Sequence, residues 1–237
     1  MKKQKNIQPN TSLDMSMVLA TCAHDIKNSL SMLIQALDTL SVHIPEDNKA
    51  AVDNYALLYY ESSRINNDLT QLLSFYRLQD QQLIVNKQQL FLIDLIEEQI
   101  ARNQYLFHYK GVNVGIKCDD HLSWYFDEYL IGCLINNVLV NAARYTKDKI
   151  LILAQQQSDQ LILQVHDNGD GFPEEMIACQ KASTTLVPPH TGSTYLGLYF
   201  AQEIAQIHQQ ADKQGAIKLS NDSLINGSGG CFTLYLP

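Results

Sequence analysis

The sequence predicts an α+β protein. An antiparallel helical hairpin pairs with a second copy into a dimeric four-helix bundle, and a two-layer α/β sandwich follows it. Three observations carry this expectation. Leu19, Ile26, Leu33 and Leu40 recur every seven residues, with Ala23, Leu30 and Leu37 in a row beside them, so a long helix carries one apolar stripe. His43-Ile44-Pro45-Glu46-Asp47-Asn48 breaks the pattern before a second striped helix, because Pro45 stops a helix and Asn48 can cap the next. Beyond Leu83, helical patterns alternate with short strand patterns, the signature of helices layered on a mixed sheet.

Helix one is expected over Leu13 to Val42. On it, His24 points roughly 140–150° away from the stripe centre, and Asn28 lies one turn on along the same outward face. Helix two is expected over Lys49 to Gln81, with Ala51, Tyr55, Leu58, Ser62, Ile65, Leu69, Leu72 and Tyr76 as its stripe. One hairpin cannot bury both stripes, which predicts a homodimer. The expected organisation is a disordered N-terminus over 1–12, the hairpin over 13–82 and the sandwich over 83–237.

In the sandwich, a helix is expected from Leu92 to Tyr109, ended by Gly111, then a strand over Val112–Ile116. Asp127 caps a helix from Glu128 to Tyr145. Strands at Ile150–Ala154 and Leu161–His166, an irregular stretch from Asp167 to Thr194, a helix over Leu196–Gln209 and strands at Ala216–Leu219 and Cys231–Leu236 complete it.

Composition narrows the function. The 237 residues carry 17 basic and 25 acidic side chains, a net charge of −8 with no Lys/Arg block, which argues against a nucleic-acid partner. Cys22, Cys118, Cys133, Cys179 and Cys231 are scattered without a CxxC pair and read as reduced thiols. No run of 18 apolar residues suggests a membrane span, so a cytoplasmic protein is expected.

Several motifs carry chemistry. Asn137 and Asn141 stand one turn apart on one helix face with Arg144 beside them; amide oxygens can hold Mg²⁺ on a phosphate, and arginine can reach the phosphate itself. Asp167-Asn168-Gly169-Asp170-Gly171-Phe172-Pro173 follows a strand, with a carboxylate placed to accept from an exocyclic amine and glycines that allow a tight turn. No ligand series follows at the spacing of a calcium loop. Gly192-Ser193-Thr194-Tyr195-Leu196-Gly197-Leu198 opens a helix whose N–H groups suit a phosphate.

In this order, and over about residues 14–237, these motifs closely resemble the sensor histidine kinases of bacterial two-component signalling. His24-Asp25-Ile26-Lys27-Asn28 looks like the H box and Asn137 to Thr146 like the N box. Asp167 to Pro173 and Gly192 to Leu198 look like the two glycine boxes, and Gly229 to Pro237 like the family's final strand. The resemblance implies a dimerisation and phosphotransfer hairpin followed by an ATPase domain of the Bergerat (GHKL) type, shared with gyrase, Hsp90 and MutL. It implies ATP and Mg²⁺ as cofactors and His24 as phosphoacceptor. Asn141 would hold Mg²⁺ with Asn137 supporting it, and Asp167 would read adenine. Arg144 would meet phosphate, Tyr145 the adenine face, Gly169 and Gly171 would hinge the lid, and Gly192 and Gly197 would lie by the phosphates. A response-regulator receiver domain would take the phosphoryl group, and Asp25 and Asn28 match the pattern for the reverse dephosphorylation.

The sequence departs from the family in three places. Tyr195 stands where glycine is usual, no Phe-rich box lies between Ile177 and Gly192, and Ser29 follows the H box. Only some 13 residues precede helix one, so sensory input is expected from a separate sensor protein. The alternative reading is a catalytically weak phosphotransfer or scaffold protein. A serine kinase with the same ATP fold is disfavoured by the phosphoacceptor hairpin.

Overall fold

The computed structural model describes residues 15–45, 47–79, 85–181, 193–225, 227 and 229–237. Helix α1 (Met15–Ser41) and helix α2 (Lys49–Gln79) pack against each other as a hairpin. The Asn48 side chain accepts from the Ala51 N–H at 3.2 Å and so caps α2, as expected. The stripe of α1 divides in two. Ala23 and Leu37 are buried and Leu30 half-buried, whereas Ile26, Leu33 and Leu40 remain 47–50% exposed. On α2, Tyr55, Ala56, Tyr60 and Ser62 are buried, while Leu58 and Ile65 of the expected stripe are exposed. The difference arises because α2 packs on two partners: besides α1 it contacts helices α4 (Gln104–Lys110) and α7 (Ser193–Ile207) of the sandwich. Tyr60 is part of that second core.

The expected Leu92–Tyr109 helix is two helices, α3 (Leu92–Arg102) and α4 (Gln104–Lys110). Asn103 breaks it, with φ −104° and ψ 10°. Its side-chain amide donates back to the Gln99 carbonyl at 2.8 Å and across to Asn136 Oδ1 at 2.8 Å. An asparagine that bonds local backbone competes with the helical ladder, which accounts for the bend. Gly111, at φ 63°, ends α4 in the left-handed conformation. Further short elements depart from expectation. Gln88–Phe91 (β1) pairs antiparallel with Ser123–Phe126 (β3), and Glu174–Lys181 (α6) is helical within the stretch read as irregular.

The main sheet contains β2 (Asn113–Lys117), β4 (Lys149–Gln157), β5 (Gln160–Asp167), β8 (Ala216–Ser220) and β9 (Cys231–Leu236), in the order β2-β4-β5-β9-β8. Strands β2 and β4 are parallel and the other pairs antiparallel, with Ile152 opposite Val165 and Leu163 opposite Leu234. A two-residue pair, β6 (Gln209–Gln210) with β7 (Lys213–Gln214), makes a small hairpin beside it. Alternation sends Ile150, Ile152, Leu161, Leu163, Val165, Phe232 and Leu234 into one face. Helices α5 (Glu128–Tyr145) and α7 (Ser193–Ile207) cover that face, with Leu134, Ile135, Leu139, Ile204 and Ala205 fully buried. Each such Leu or Ile contributes roughly 1.5–3 kcal/mol by burial. The result is the two-layer α/β sandwich with a mixed sheet.

Asp127 ties its parts together. Its carboxylate caps α5 by accepting from the Leu130 N–H at 3.0 Å and also accepts from the Asn86 N–H at 2.8 Å. Its own N–H donates to His208 Nε2 at 3.1 Å, just beyond α7. His208 is therefore structural: Nδ1 lies 2.7 Å from the Ile204 carbonyl, and burial pushes its pKa below the usual histidine range.

Candidate functional site

Two groups of predicted residues stand on different elements. On α1, the His24 side chain is 58% exposed and lies outside both packing rows. Its Nδ1 is 3.3 Å from Asn28 Nδ2, one turn on, and 3.7 Å from Asp25 Oδ1, a distance beyond hydrogen bonding. Both neighbours lie on the Nδ1 side of the ring, which leaves Nε2 on the other side. The imidazole proton can sit on either nitrogen, so its location follows whichever neighbour engages Nδ1.

The second group is assembled from α5, the end of β5 and the start of α7. Asn137 is 3% exposed. Its amide donates to the Gly197 carbonyl at 2.9 Å, and its Oδ1 accepts from Asn141 Nδ2 at 3.2 Å. Both ends of Asn137 are thus committed within the protein: it holds α7 and aims Asn141. A Cβ on Gly197 would come within 2.7 Å of the Asn137 amide, so a glycine is needed for this approach. Asn141 spends its N–H on Asn137 and is only partly buried, so its carbonyl oxygen is the one available for a cation.

Asp167 closes β5. Its Oδ1 accepts from the N–H groups of Gly169 at 2.8 Å and Gly230 at 3.2 Å, and its backbone carbonyl accepts from the Ser223 hydroxyl at 2.6 Å. Gly229 adopts φ 114°, and a Cβ there would strike the Asp167 carbonyl. Asn168 completes the anchoring from the next position: its Oδ1 accepts from the N–H groups of Lys147, Asp148 and Lys149, and its Nδ2 donates to Asp148. This fastens the end of α5 to the end of β5. Consequently Gly169 packs against the Tyr145 carbonyl, and the Tyr145 ring is 53% exposed at the rim. Gly171, at φ 84°, sits beside Asn221, whose side chain accepts from the Phe172 N–H and donates to the Phe172 carbonyl. Behind the carboxylate, His166 is 1% exposed, and burial lowers its pKa against the opposing pull of Asp167.

The structure therefore brings Asn137, Asn141, Tyr145, Asp167, Gly169 and Gly197 together around α5. The Arg144 guanidinium lies 6.0 Å from the Tyr145 ring centroid and within electrostatic reach of the Tyr60 and Tyr145 hydroxyls. Gly192 and residues 182–191 lie outside the described residues, as does the Tyr195 side chain. Sequence reasoning missed Asn168, Ser223 and the Gly229–Gly230 turn as supports of Asp167. The adjacent glycines directly before the last strand were the available signal.

No group of three or more His, Cys, Asp or Glu side chains that could hold a metal occurs among the described residues. The Asn141 amide oxygen together with ligand oxygens is a donor set that suits Mg²⁺ on a phosphate. Cys22, Cys118, Cys133 and Cys231 are free thiols. Among the described residues, no helix is long and apolar enough to cross a membrane.

Comparison with known proteins agrees with this geometry. Residues 127–237 match the family described as histidine kinase-, DNA gyrase B- and HSP90-like ATPases. The chain is 24% identical over 226 residues to the sensor histidine kinase YclK of Bacillus subtilis, covering 92% of this chain and 46% of that protein. It spans about half the length of that relative. Among solved structures, the Acinetobacter baumannii histidine kinase AdeS aligns over 90% of this chain and 96% of its own, with a TM-score of 0.56 at 20% identity. Full-length ShkA in complex with AMPPNP aligns over 94% of this chain and 46% of its own, with a TM-score of 0.62 at 16% identity. At these identities the structural likeness speaks for the fold alone. Residues 127–237 thus match the histidine kinase-, gyrase B- and HSP90-like ATPase family, and over 92% of its length the chain is similar to a bacterial sensor histidine kinase.

Proposed function

We propose that this chain is a protein-histidine kinase that phosphorylates His24 from Mg-ATP and passes the phosphoryl group to an aspartate of a response regulator. The observation that carries the proposal is the pairing, in one chain, of an ATPase-family domain with an exposed helix histidine whose Nδ1 is flanked by Asp25 and Asn28. An ordinary surface histidine has no need of either neighbour.

The chain's own groups divide the work. Asp167, fixed by two backbone N–H groups, is placed to accept from an exocyclic amine, and the exposed Tyr145 ring offers a face at the rim. Asn137 holds Asn141, whose free oxygen meets the cation. Bound Mg-ATP supplies the γ-phosphoryl group and offsets charge on the transferring oxygens. When Nδ1–H donates to Asp25, the lone pair is on Nε2. That nitrogen attacks phosphorus, the bond to the β–γ bridging oxygen breaks, ADP leaves, and the carboxylate steadies the cationic ring. Asn28 is placed for the reverse activity, orienting water at the phosphorylated receiver domain of the regulator.

Homodimerisation belongs to the same proposal. Ile26, Leu33 and Leu40 form a heptad row left exposed by the hairpin, and a second copy would cover it to give a four-helix bundle. A separate sensor protein would act through the exposed face of α1 around His24. The test is incubation of the protein with γ-labelled ATP and Mg²⁺. Label that is lost in acid and kept in base supports phosphohistidine; folded, nucleotide-binding protein that takes no label supports the scaffold reading instead.

A further inference from the structure

A cleft of about 270 Å³ lies where the hairpin meets the sandwich, apart from the site around Asn141 and Asp167. Lys27 of α1, Tyr59 and Asn66 of α2, Gln99 and Arg102 of α3 and Tyr129 of α5 are among its walls. Gln99 is 2% exposed, yet its carbonyl oxygen Oε1 has no hydrogen-bond partner among the described residues; Asn66 Oδ1 is buried and equally unpartnered. Buried acceptors are nearly always paired, so two in one cleft point to a donor that belongs there. The charges are also sorted. Lys27 and Arg102 both stand in the cleft wall, so two cations line it. Glu98 balances Arg102 from outside at 3.0 Å.

We propose that this cleft binds a small zwitterion of the α-amino-acid class. Its ammonium group would donate to Gln99 Oε1 and Asn66 Oδ1, its carboxylate would face Lys27 and Arg102, and its side chain would lie between Tyr59 and Tyr129. The volume is at the small end for ligand pockets, which suits a metabolite and not a nucleotide. Because the walls come from α1, α2, α3 and α5, the ligand clamps the hairpin to the sandwich. Resting here on the kinase reading, the clamp would slow delivery of the phosphoryl group to His24, three residues from Lys27.

The test is calorimetry of the full chain with each proteinogenic L-amino acid added singly. At least one binds with one-to-one stoichiometry. Gln99→Met, which keeps the side-chain shape and removes the unpaired acceptor, weakens that binding at least tenfold, as does the surface change Lys27→Ala. If Gln99→Met does not fold, Asn66→Ala takes its place. The proposal is overturned if no amino acid binds, water alone then serving Gln99, or if binding survives these changes. The bound amino acid is also expected to slow autophosphorylation. Binding without any kinase activity would count against the kinase reading and leave the cleft standing; kinase activity without binding would do the reverse.

Discussion

The side-chain amide of Asn137, buried inside α5, donates to the Gly197 carbonyl of α7 across 2.9 Å while its oxygen receives the Asn141 amide. Asn137 is therefore a positioning residue, and its loss should be felt in stability first. Asn137→Ala removes the buried bond between α5 and α7 and frees Asn141, so unfolding should become easier by about 1–3 kcal/mol. Urea denaturation measures this. A loss below about 0.5 kcal/mol would mean that the pair does not hold α7.

Asn141→Ala should separate binding from stability. The residue is only partly buried, so its truncation is expected to change unfolding free energy by no more than about 0.5 kcal/mol. Mg²⁺-dependent nucleotide affinity should nonetheless fall at least tenfold by calorimetry. Since no carboxylate cluster occurs among the described residues, Mg²⁺ titrated without nucleotide should give no binding heat.

Much of this was legible in the sequence. The seven-residue spacing on α1, the Asp127 cap of α5 and the alternation in β4, β5 and β9 are local patterns, and the structure follows them. The misses have tertiary or short-range causes. The break at Asn103 was hidden because Ile100, Leu106 and Phe107 continue an apolar pattern through it. Strand β1 is four residues long and depends on its partner β3. Helix α6 did carry a local signal, Pro173 followed by Glu174 and Glu175, a helix start that was overlooked. Which face of α2 is buried depends on how the hairpin docks, which no periodicity records.

Two buried histidines predict acid sensitivity. Burial lowers the pKa of His208 and of His166 from the ordinary value of 6.5. Below that pH the unfolded chain takes up protons that the folded chain refuses, so stability falls as pH drops toward the folded values. Each histidine contributes at most about 1.4 kcal/mol per pH unit in that window and nothing above it. His208→Gln can still accept from the Asp127 N–H and should flatten the dependence below pH 6.5. An unchanged slope in denaturation curves would show that His208 is not the titrating group.

The exposed row on α1 predicts oligomeric state. Leu33→Glu places a charge at the centre of Ile26, Leu33 and Leu40, a surface that is costly to desolvate in a dimer and harmless on a monomer. Light scattering should report a dimer for the unmodified chain and a monomer for the variant, with helical content unchanged. A monomer in both cases would remove the bundle.

The most direct test of the central claim is to map the phosphorylated residue. After incubation with Mg-ATP under base-stable conditions, peptide mass spectrometry should find the phosphoryl group on the peptide bearing His24. His24→Ala should carry none while binding ATP as the unmodified chain does, because the exposed ring takes no part in packing. Phosphorylation of the His24→Ala protein to the same extent, or recovery of the group on another residue, would contradict the account.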